Sequence, residues 1–223
     1  MLEFDRIQKK LTAIMQMQED LNRLYAGEDW AQARHPWHKY IRYEAGELIG
    51  HHNEVFHYRG GEPDWQNIET ELVDILHFLA SWKIQEASEF KYDSYDHAET
   101  HFIAETDRSV DDIEEDLALA CINEDLSLTT DCFYALVARL GFDLEHLLDR
   151  YQLKYTLNKF RIGNGSLNGQ YRKIWADGRE DNEHLAELAD QHKNETTGYD
   201  LAAIHKGLSD RYARVTTASW MNK

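Results

Sequence analysis

Residues 65–82, with the sequence WQNIETELVDILHFLASW, decide the fold of this chain. Apolar side chains recur there at helical spacing, so the segment is predicted to form an amphipathic helix with one strongly apolar face. The residues of that face are Ile68, Leu72, Ile75, Leu76 and Leu79. At about 100° per residue, Glu71 projects into the apolar arc and Asp74 lies at its edge. Carboxylates seldom lie on such a face unless they are paired or bind a metal.

A second segment, residues 40–52 (YIRYEAGELIGHH), repeats this arrangement. Glu44 lies inside its apolar arc and Glu47 at the edge, so each of the two helices carries an acidic pair at i, i+3. The connection between them, roughly 15 residues long with glycine and proline at 60–63, allows the helices to run antiparallel and face each other. The two acidic pairs are therefore predicted to converge between two antiparallel helices.

Four converging carboxylates predict a metal centre, because their mutual repulsion is unfavourable without a cation. Oxygen ligands of this kind suit Mg²⁺, which is a hard ion. The alternative is that these are solvated helix carboxylates, each paired with Lys or Arg at i+4. Positions 48, 51, 75 and 78 hold Leu, His, Ile and Phe instead, so the sequence favours the metal site.

The composition predicts a single all-α domain over residues 1–223. Only two prolines occur and β-branched runs are scarce, which favours a helical bundle. The formal net charge of −17 argues against binding to nucleic acid or to an anionic membrane surface. The two cysteines have no metal-ligand spacing. Neither a secretory signal nor a membrane-spanning run is evident in the sequence. We therefore expect a cytoplasmic protein.

Hydrophobic periodicity predicts further helices. They cover residues 3–25, Pro36 to about Tyr58, Ser109 to about Leu126, Thr129 or Thr130 to Gly141, and 143–163. Ser109 and the acids after it form a capped helix start, and Gly141 is a C-terminal stop. Residues 85–108 show little periodicity and are predicted to be a long loop or short helices. Amphipathic patterns return over residues 183–215.

Two amides and a tryptophan near the first helix are candidates for contact with a base. Gln18 and Asn22 are four residues apart and share one helix face, and an amide offers both a donor and an acceptor. On the sequence pattern alone, ordinary polar surface positions account for them better. Trp30 lies in a predicted loop, where it can stack on a ligand, although a tryptophan more often belongs to the core. His77 is predicted to be a core or supporting residue rather than a metal ligand.

Residues 151–179 reverse the sign of the charge, because they contain six basic residues and a single acid, Asp177. They also contain four glycines, at positions 163, 165, 169 and 178. Backbone N–H groups together with Arg or Lys side chains can hold the oxygens of a polyphosphate. A locally basic surface loop is the alternative, and this segment alone does not decide between the two.

Four motifs occur in the order found in a known family. They are residues 17–22 (MQEDLN) with 27–30 (GEDW), residues 44–49 (EAGELI), residues 71–78 (ELVDILHF), and a long last motif from 157–161 (LNKFR) through Tyr171 and Lys173 to 180–182 (EDN). On these motifs the chain resembles the all-α, dimeric-type dUTPases, part of the wider all-α nucleoside triphosphate pyrophosphohydrolases. A single Glu-x-x-Glu is a weak signal, but four motifs in order over most of the chain are a strong one.

The resemblance implies a reaction and a set of site residues. The reaction is Mg²⁺-dependent hydrolysis of dUTP to dUMP and pyrophosphate by a metal-activated water, which Glu44 orients or deprotonates. Glu44, Glu47, Glu71 and Asp74 are implied to bind two or three Mg²⁺ ions once substrate is present. Lys154, Asn158, Arg161 and Lys173 are implied to hold the phosphates, and Gln18, Asn22, Trp30 and Tyr171 to complete the substrate site. The resemblance also implies a homodimer.

The chain departs from the family pattern at positions that bear on recognition of the base and sugar. Val55 stands where family members carry Trp, and Ser166 stands where they carry Tyr. A broader hydrolase of dCTP and dUTP, or of a modified pyrimidine triphosphate, is therefore an alternative. A helical binding or regulatory module without activity is a third possibility, against which the complete acidic quartet argues.

Overall fold

The computed structural model describes residues 2–52, 62–90, 108–194 and 198–221. Eight α-helices lie in these ranges: α1 (Leu2–Ala26), α2 (Trp37–His51), α3 (Trp65–Phe90), α4 (Val110–Ile122), α5 (Leu126–Arg139), α6 (Leu144–Gly163), α7 (Asp181–Gln191) and α8 (Leu201–Met221). Two 3-10 turns, Trp30–Ala33 and Ser166–Asn168, and one antiparallel pair, β1 (Lys193–Asn194) with β2 (Gly198–Tyr199), complete the elements. The predicted all-α class is confirmed. None of the described helices combines the length and the apolar character that crossing a bilayer requires.

The chain divides into two compact units, Met1–Tyr151 and Gln152–Lys223, and the boundary falls inside α6. Each unit has its own buried apolar residues, so we describe each by itself. The single domain expected over residues 1–223 stays a prediction.

Helix α3 is the centre of the first unit. Between Glu71 and Trp82, every side chain is buried except those of Asp74 and Phe78, which are half-buried. The sequence predicted one apolar face, but α3 contacts α1, α2 and α5 and is covered on nearly all sides. Val73 and Ala80 lie outside the predicted face and provide additional apolar surface, and each is at most 3% exposed.

Helices α2 and α3 run antiparallel, as predicted. The ring of His38, near the start of α2, lies 5.8 Å from the ring of Trp82, late in α3. His51, at the end of α2, lies 3.6 Å from Glu71, early in α3. Helix α2 ends at His51, earlier than the predicted end near Tyr58. Residues 53–61 lie outside the described part of the chain.

Local capping explains where several helices begin and end. The Ser109 side chain accepts the N–H of Asp112 and the Asp112 side chain accepts the N–H of Ser109, which is the predicted capping box of α4. Helix α5 begins three residues earlier than the earlier of the two predicted starts, because the Asp125 side chain accepts the N–H of Leu128. Gly141 has φ of +79°, the left-handed conformation that ends a helix.

The predicted irregular region, residues 85–108, is only partly described. Residues 85–90 continue α3 to Phe90. Residues 91–107 lie outside the described ranges.

The first half of α6 packs against α1 and α3. Leu147 and Leu148 in this half are fully buried. Lys10 of α1 donates to Asp149 at 2.5 Å, and Arg150 Nε lies 2.7 Å from Glu69 Oε2 of α3. Since partly exposed ion pairs contribute little to stability, the buried leucines are the main attachment.

The second unit is organised around a buried acid. Its apolar cluster consists of Leu153, Leu157, Phe160, Trp175, Leu185, Leu188, Ala189, Ile204 and Leu208. Asp181, the first residue of α7, is fully buried and accepts two hydrogen bonds of 2.8 Å from Arg161. The Tyr171 hydroxyl also donates to Asp181, at 2.7 Å, and the Trp175 indole donates to Tyr171 at 3.1 Å. The carboxylate thus joins α6, α7 and the segment between them.

Replacement of Leu72 with alanine is expected to destabilise the protein by about 2–5 kcal/mol, because Leu72 is fully buried in α3 and its removal leaves a cavity. Chemical denaturation followed by circular dichroism measures the change. The matched control is Leu119→Ala, at a leucine that is 54% exposed, and its effect is expected to stay within about 0.5 kcal/mol. Equal effects of the two substitutions would contradict the central position of α3.

The Asp181→Asn variant is expected to lose about 3 kcal/mol of stability at neutral pH, because it leaves the Arg161 guanidinium without its buried counter-charge. Burial by itself would raise the pKa of Asp181, but the hydrogen bonds from Arg161 and Tyr171 outweigh burial and hold the pKa below its ordinary value of 3.8. The ionised carboxylate therefore stabilises the folded state above that value, and the contribution declines as the pH falls below it.

Urea denaturation of the wild-type protein and the Asp181→Asn variant over a series of pH values tests this. The difference in stability between the two proteins should be largest at neutral pH and should shrink in acid. A difference that grows in acid would contradict the prediction that ionised Asp181 stabilises the folded state through its pairing with Arg161.

Candidate active site

Three carboxylates converge between α2 and α3. Glu44, Glu47 and Glu71 each offer one oxygen, and these oxygens lie within 4.8 Å of one another. We call these three residues the carboxylate cluster. Glu71 is buried, Glu44 is half-buried and Glu47 is exposed, so the cluster extends from the core to the surface. The i, i+3 spacing on α2 and the antiparallel pairing with α3 produce this arrangement, as the sequence predicted.

The surroundings of Glu44, including the neighbouring carboxylates, raise its pKa. The pKa of Glu44 is raised to about 8, and the largest causes are burial and then a hydrogen bond between Glu44 and Glu71. The negative charges of Asp74, Glu71 and Glu47 contribute the rest of this shift. Without a cation, the cluster therefore favours retaining a proton on Glu44.

Asp74, the fourth predicted ligand, is placed differently from the other three. It is not a member of the cluster within 4.8 Å, but its charge is the largest electrostatic contribution to the raised pKa of Glu44. His51 contributes an imidazole nearby, with Nε2 3.6 Å from Glu71 Oε1. That separation exceeds the length of a good hydrogen bond.

The donor set fits a small divalent cation. Carboxylate oxygens are the ligands that Mg²⁺ prefers, and oxygens on opposite sides of one Mg²⁺ ion are about 4.2 Å apart. The spacing within the cluster is therefore close to that of a coordination shell. The raised pKa of Glu44 supports the same assignment, because a cation would compensate the charges that now disfavour its ionised form.

A second group of polar side chains lies in the first unit, on α1, α3 and α6. We call it the amide network, and it consists of Gln18, Asn22, His77, Ser81 and Tyr151, each at most 6% exposed. Gln18 Oε1 accepts a 2.6 Å hydrogen bond from the Tyr151 hydroxyl and lies 2.7 Å from His77 Nδ1. Gln18 Nε2 donates to Asn22 Oδ1 at 2.7 Å, and Asn22 Nδ2 donates to Ser81 Oγ at 3.1 Å. The two predicted base-reading amides are therefore brought together, buried rather than on the surface.

Helix α3 contributes side chains to both the carboxylate cluster and the amide network. Asp74, His77 and Ser81 follow one another at i, i+3 and i+7, which places them along one helix face. The distance along the axis from Asp74 to Ser81 is about 10 Å. One rigid helix thus places the acidic residues beside the uncharged amides.

Trp30 is a core residue in this structure. Its side chain is 2% exposed and packs edge-on against Trp37, with ring centroids 6.1 Å apart. The loop predicted around it is a 3-10 turn, Trp30–Ala33. Contact between Trp30 and substrate stays a prediction.

The predicted phosphate-binding residues belong to the second unit. Lys154, Asn158 and Arg161 follow one another at i, i+4 and i+7 on α6 and so share one face. Lys173 lies beyond the helix and is exposed. Arg161 has a structural role already, because its Nε and Nη2 donate to Asp181. Contacts of these residues with phosphate stay predictions.

Two departures from the family pattern can be located. Ser166 is half-buried and begins the 3-10 turn Ser166–Asn168, which lies between two glycines with positive φ, Gly165 and Gly169. Val55 lies outside the described residues.

Sequence reasoning missed three polar residues that organise these sites. The sequence could have indicated Ser81, because it follows His77 by one helical turn and therefore lies on the same helix face. No local sequence pattern indicates Tyr151, because it is 133 residues from its partner Gln18. Asp181 belonged to the last motif, but its buried pairing with Arg161 depends on the fold of the second unit.

The region of the chain that matches a known protein family includes both the carboxylate cluster and the amide network. A family model described as dUTPase matches residues 10–165, well over half of the chain, from within α1 to just beyond α6. A search of curated proteins gives no significant match. The family match confirms the resemblance predicted from the motifs. This chain belongs to the dUTPase family, whose reaction is the hydrolysis of dUTP.

Proposed function

We propose that this chain is a Mg²⁺-dependent dUTP diphosphatase, which converts dUTP and water to dUMP and pyrophosphate. The observation that carries the proposal is the carboxylate cluster, which lies inside the span matched by the dUTPase family. Three acids whose oxygens lie within 4.8 Å of one another are unfavourable by themselves and are suited to a divalent ion.

The acidic residues have distinct roles in this proposal. Glu44, Glu47, Glu71 and Asp74 hold Mg²⁺ through their carboxylate oxygens. When bound, Mg²⁺ supplies positive charge against the phosphates and makes water more acidic. Glu44 orients the attacking water and accepts its proton, as the water oxygen bonds to phosphorus and the bond to the departing pyrophosphate breaks.

The remaining predicted residues are assigned to substrate binding. Gln18 and Asn22 read the edge of the pyrimidine, since their amides lie together in the first unit. Lys154, Asn158 and Lys173 bind phosphate oxygens through cationic and amide donors. A homodimer and a cytoplasmic location stay predictions from the family resemblance.

A broader pyrimidine nucleotide hydrolase is the second candidate. It is favoured by the departures from the family pattern at Val55 and Ser166, which bear on recognition of base and sugar. The carboxylate chemistry is the same in both candidates, so only substrate preference distinguishes them.

Pyrophosphate release by the purified full chain tests the proposal, with dUTP, dCTP, dTTP, dATP, dGTP and UTP in the presence of Mg²⁺. We expect release from dUTP, its loss on addition of EDTA, and its recovery with excess Mg²⁺. Comparable release from dCTP would support the broader hydrolase. Release from dUTP that persists in EDTA would refute the metal requirement.

The Glu71→Gln variant is expected to lower kcat for dUTP by about 10²–10³-fold, because it removes one negative oxygen ligand while preserving the shape of the side chain. Steady-state kinetics measures the loss, and circular dichroism should show unchanged helicity. The matched control is Glu115→Gln, the same substitution at an exposed position on α4, for which kcat should remain at the wild-type value. A Glu71→Gln variant with wild-type kcat would exclude this site as the metal centre.

A further inference from the structure

A lysine lines a small cavity between α1, α3 and α5 of the first unit. The cavity has a volume of about 30 Å³, which is room for about two water molecules. Leu11 and Ile14 of α1 and Leu76 and Leu79 of α3 give it apolar walls. Among the residues that line it, only Lys83 of α3 carries a charge. The cavity therefore holds a primary amine in mostly apolar surroundings.

The ammonium group of Lys83 lacks a counter-ion in contact with it. Its Nζ atom lies 6.0 Å from the centre of the Tyr134 ring on α5, at the outer limit of a cation–π contact. Among the residues that the structure describes, none forms an ion pair or a hydrogen bond with this group. Tyr134 supplies no negative charge, because burial raises the pKa of its hydroxyl to about 12.

These surroundings favour the neutral form of the amine. Burial lowers the pKa of Lys83 to about 8, and the negative charge of Asp131 on α5 offsets only part of this effect. Gln8 and Thr12, the polar residues that α1 places at the cavity, are uncharged. Compared with a lysine of ordinary pKa, the neutral fraction at pH 7.5 is about a hundredfold higher. A desolvated, neutral lysine amine is a nucleophile.

A small reagent can reach this amine. Lys83 and Tyr134 are half-buried and Thr12 is exposed, so the cavity opens to solvent beside Thr12. Its volume suits a group as small as acetyl. Acylation converts the amine to a neutral amide, which removes the cost of holding a charged ammonium in apolar surroundings.

We propose that Lys83 is a site of covalent modification, where the ε-amino group in the cavity between α1, α3 and α5 accepts a small acyl group from an acyl phosphate. The nitrogen lone pair attacks the carbonyl carbon and a C–N bond forms. The C–O bond to phosphorus's oxygen breaks, phosphate leaves with that electron pair, and the nitrogen releases its proton to water.

This inference does not depend on the proposed function. None of the residues that line the cavity belongs to the carboxylate cluster or to the amide network. Loss of the dUTPase proposal would leave the modification of Lys83 as it stands, and the reverse also holds.

Reaction of the purified full chain with acetyl phosphate, followed by mass spectrometry of its peptides, measures the rate at each lysine. At pH 7.5 we expect Lys83 to be acetylated at least about tenfold faster than the exposed Lys39, because its larger neutral fraction outweighs its partial burial. Between about pH 7 and pH 10, the rate at Lys83 should level off above about pH 9, whereas the rate at Lys39 should continue to rise. A Lys83 rate no greater than that of Lys39 at pH 7.5, or a parallel rise of both rates to pH 10, would overturn the proposal.

Variants at the opening of the cavity test the route to the amine. Thr12→Phe covers the opening and is expected to slow acetylation of Lys83 by about tenfold without changing the rate at Lys39. Thr12→Val, which keeps the shape of threonine, is the matched control and should leave both rates unchanged. Thr12 is exposed, so both variants should fold, and circular dichroism verifies this. Equal Lys83 rates in the two variants would overturn the cavity as the place of acylation.

The Lys83→Arg variant verifies the assignment of the modified peptide. Arginine keeps the positive charge but does not lose its proton, so it offers no neutral amine. The acetylated peptide that contains position 83 should disappear in this variant while acetylation of Lys39 continues. Persistence of that signal would place the modification at another residue and overturn the proposal.

Discussion

The burial of α3 on nearly all sides is the constraint on which the first unit depends. A helix in this position can carry polar groups only if each is paired, hydrogen-bonded or neutralised by a cation. Glu71, His77 and Ser81 are all at most 7% exposed, so each needs such a partner. The neighbouring helices supply these partners, α2 through Glu44 and Glu47, and α1 through Gln18 and Asn22.

The amide network and the carboxylate cluster meet this requirement for partners in different ways. The amide network consists of amide, hydroxyl and imidazole side chains that hydrogen-bond to one another. The carboxylate cluster consists of like charges, and the raised pKa of Glu44 records the resulting repulsion. A cluster of that kind is incomplete without a cation. These complementary properties suit a ligand with a charged end and an uncharged base.

The second unit depends on a charge pair instead of a charge cluster. Arg161 and Asp181 neutralise each other in the interior, and Tyr171 and Trp175 extend their hydrogen bonds into the aromatic core. Removal of one partner from such a pair is costly, which gives Arg161 a structural role besides any contact with phosphate. Lys154 and Asn158 lie on the same face of α6 as Arg161.

The sequence by itself determined the helical class, most helix positions and the acidic cluster, because helical periodicity and i, i+3 spacing are local properties of the chain. It also determined the family, through motifs that keep their order. Only the tertiary structure decided that Gln18 and Asn22 are buried, because their partners Ser81 and Tyr151 are 59 and 133 residues away. It likewise decided that Asp74 lies outside the group formed by the other three acids. Such contacts depend on how helices pack, and spacing along one helix does not specify packing between helices.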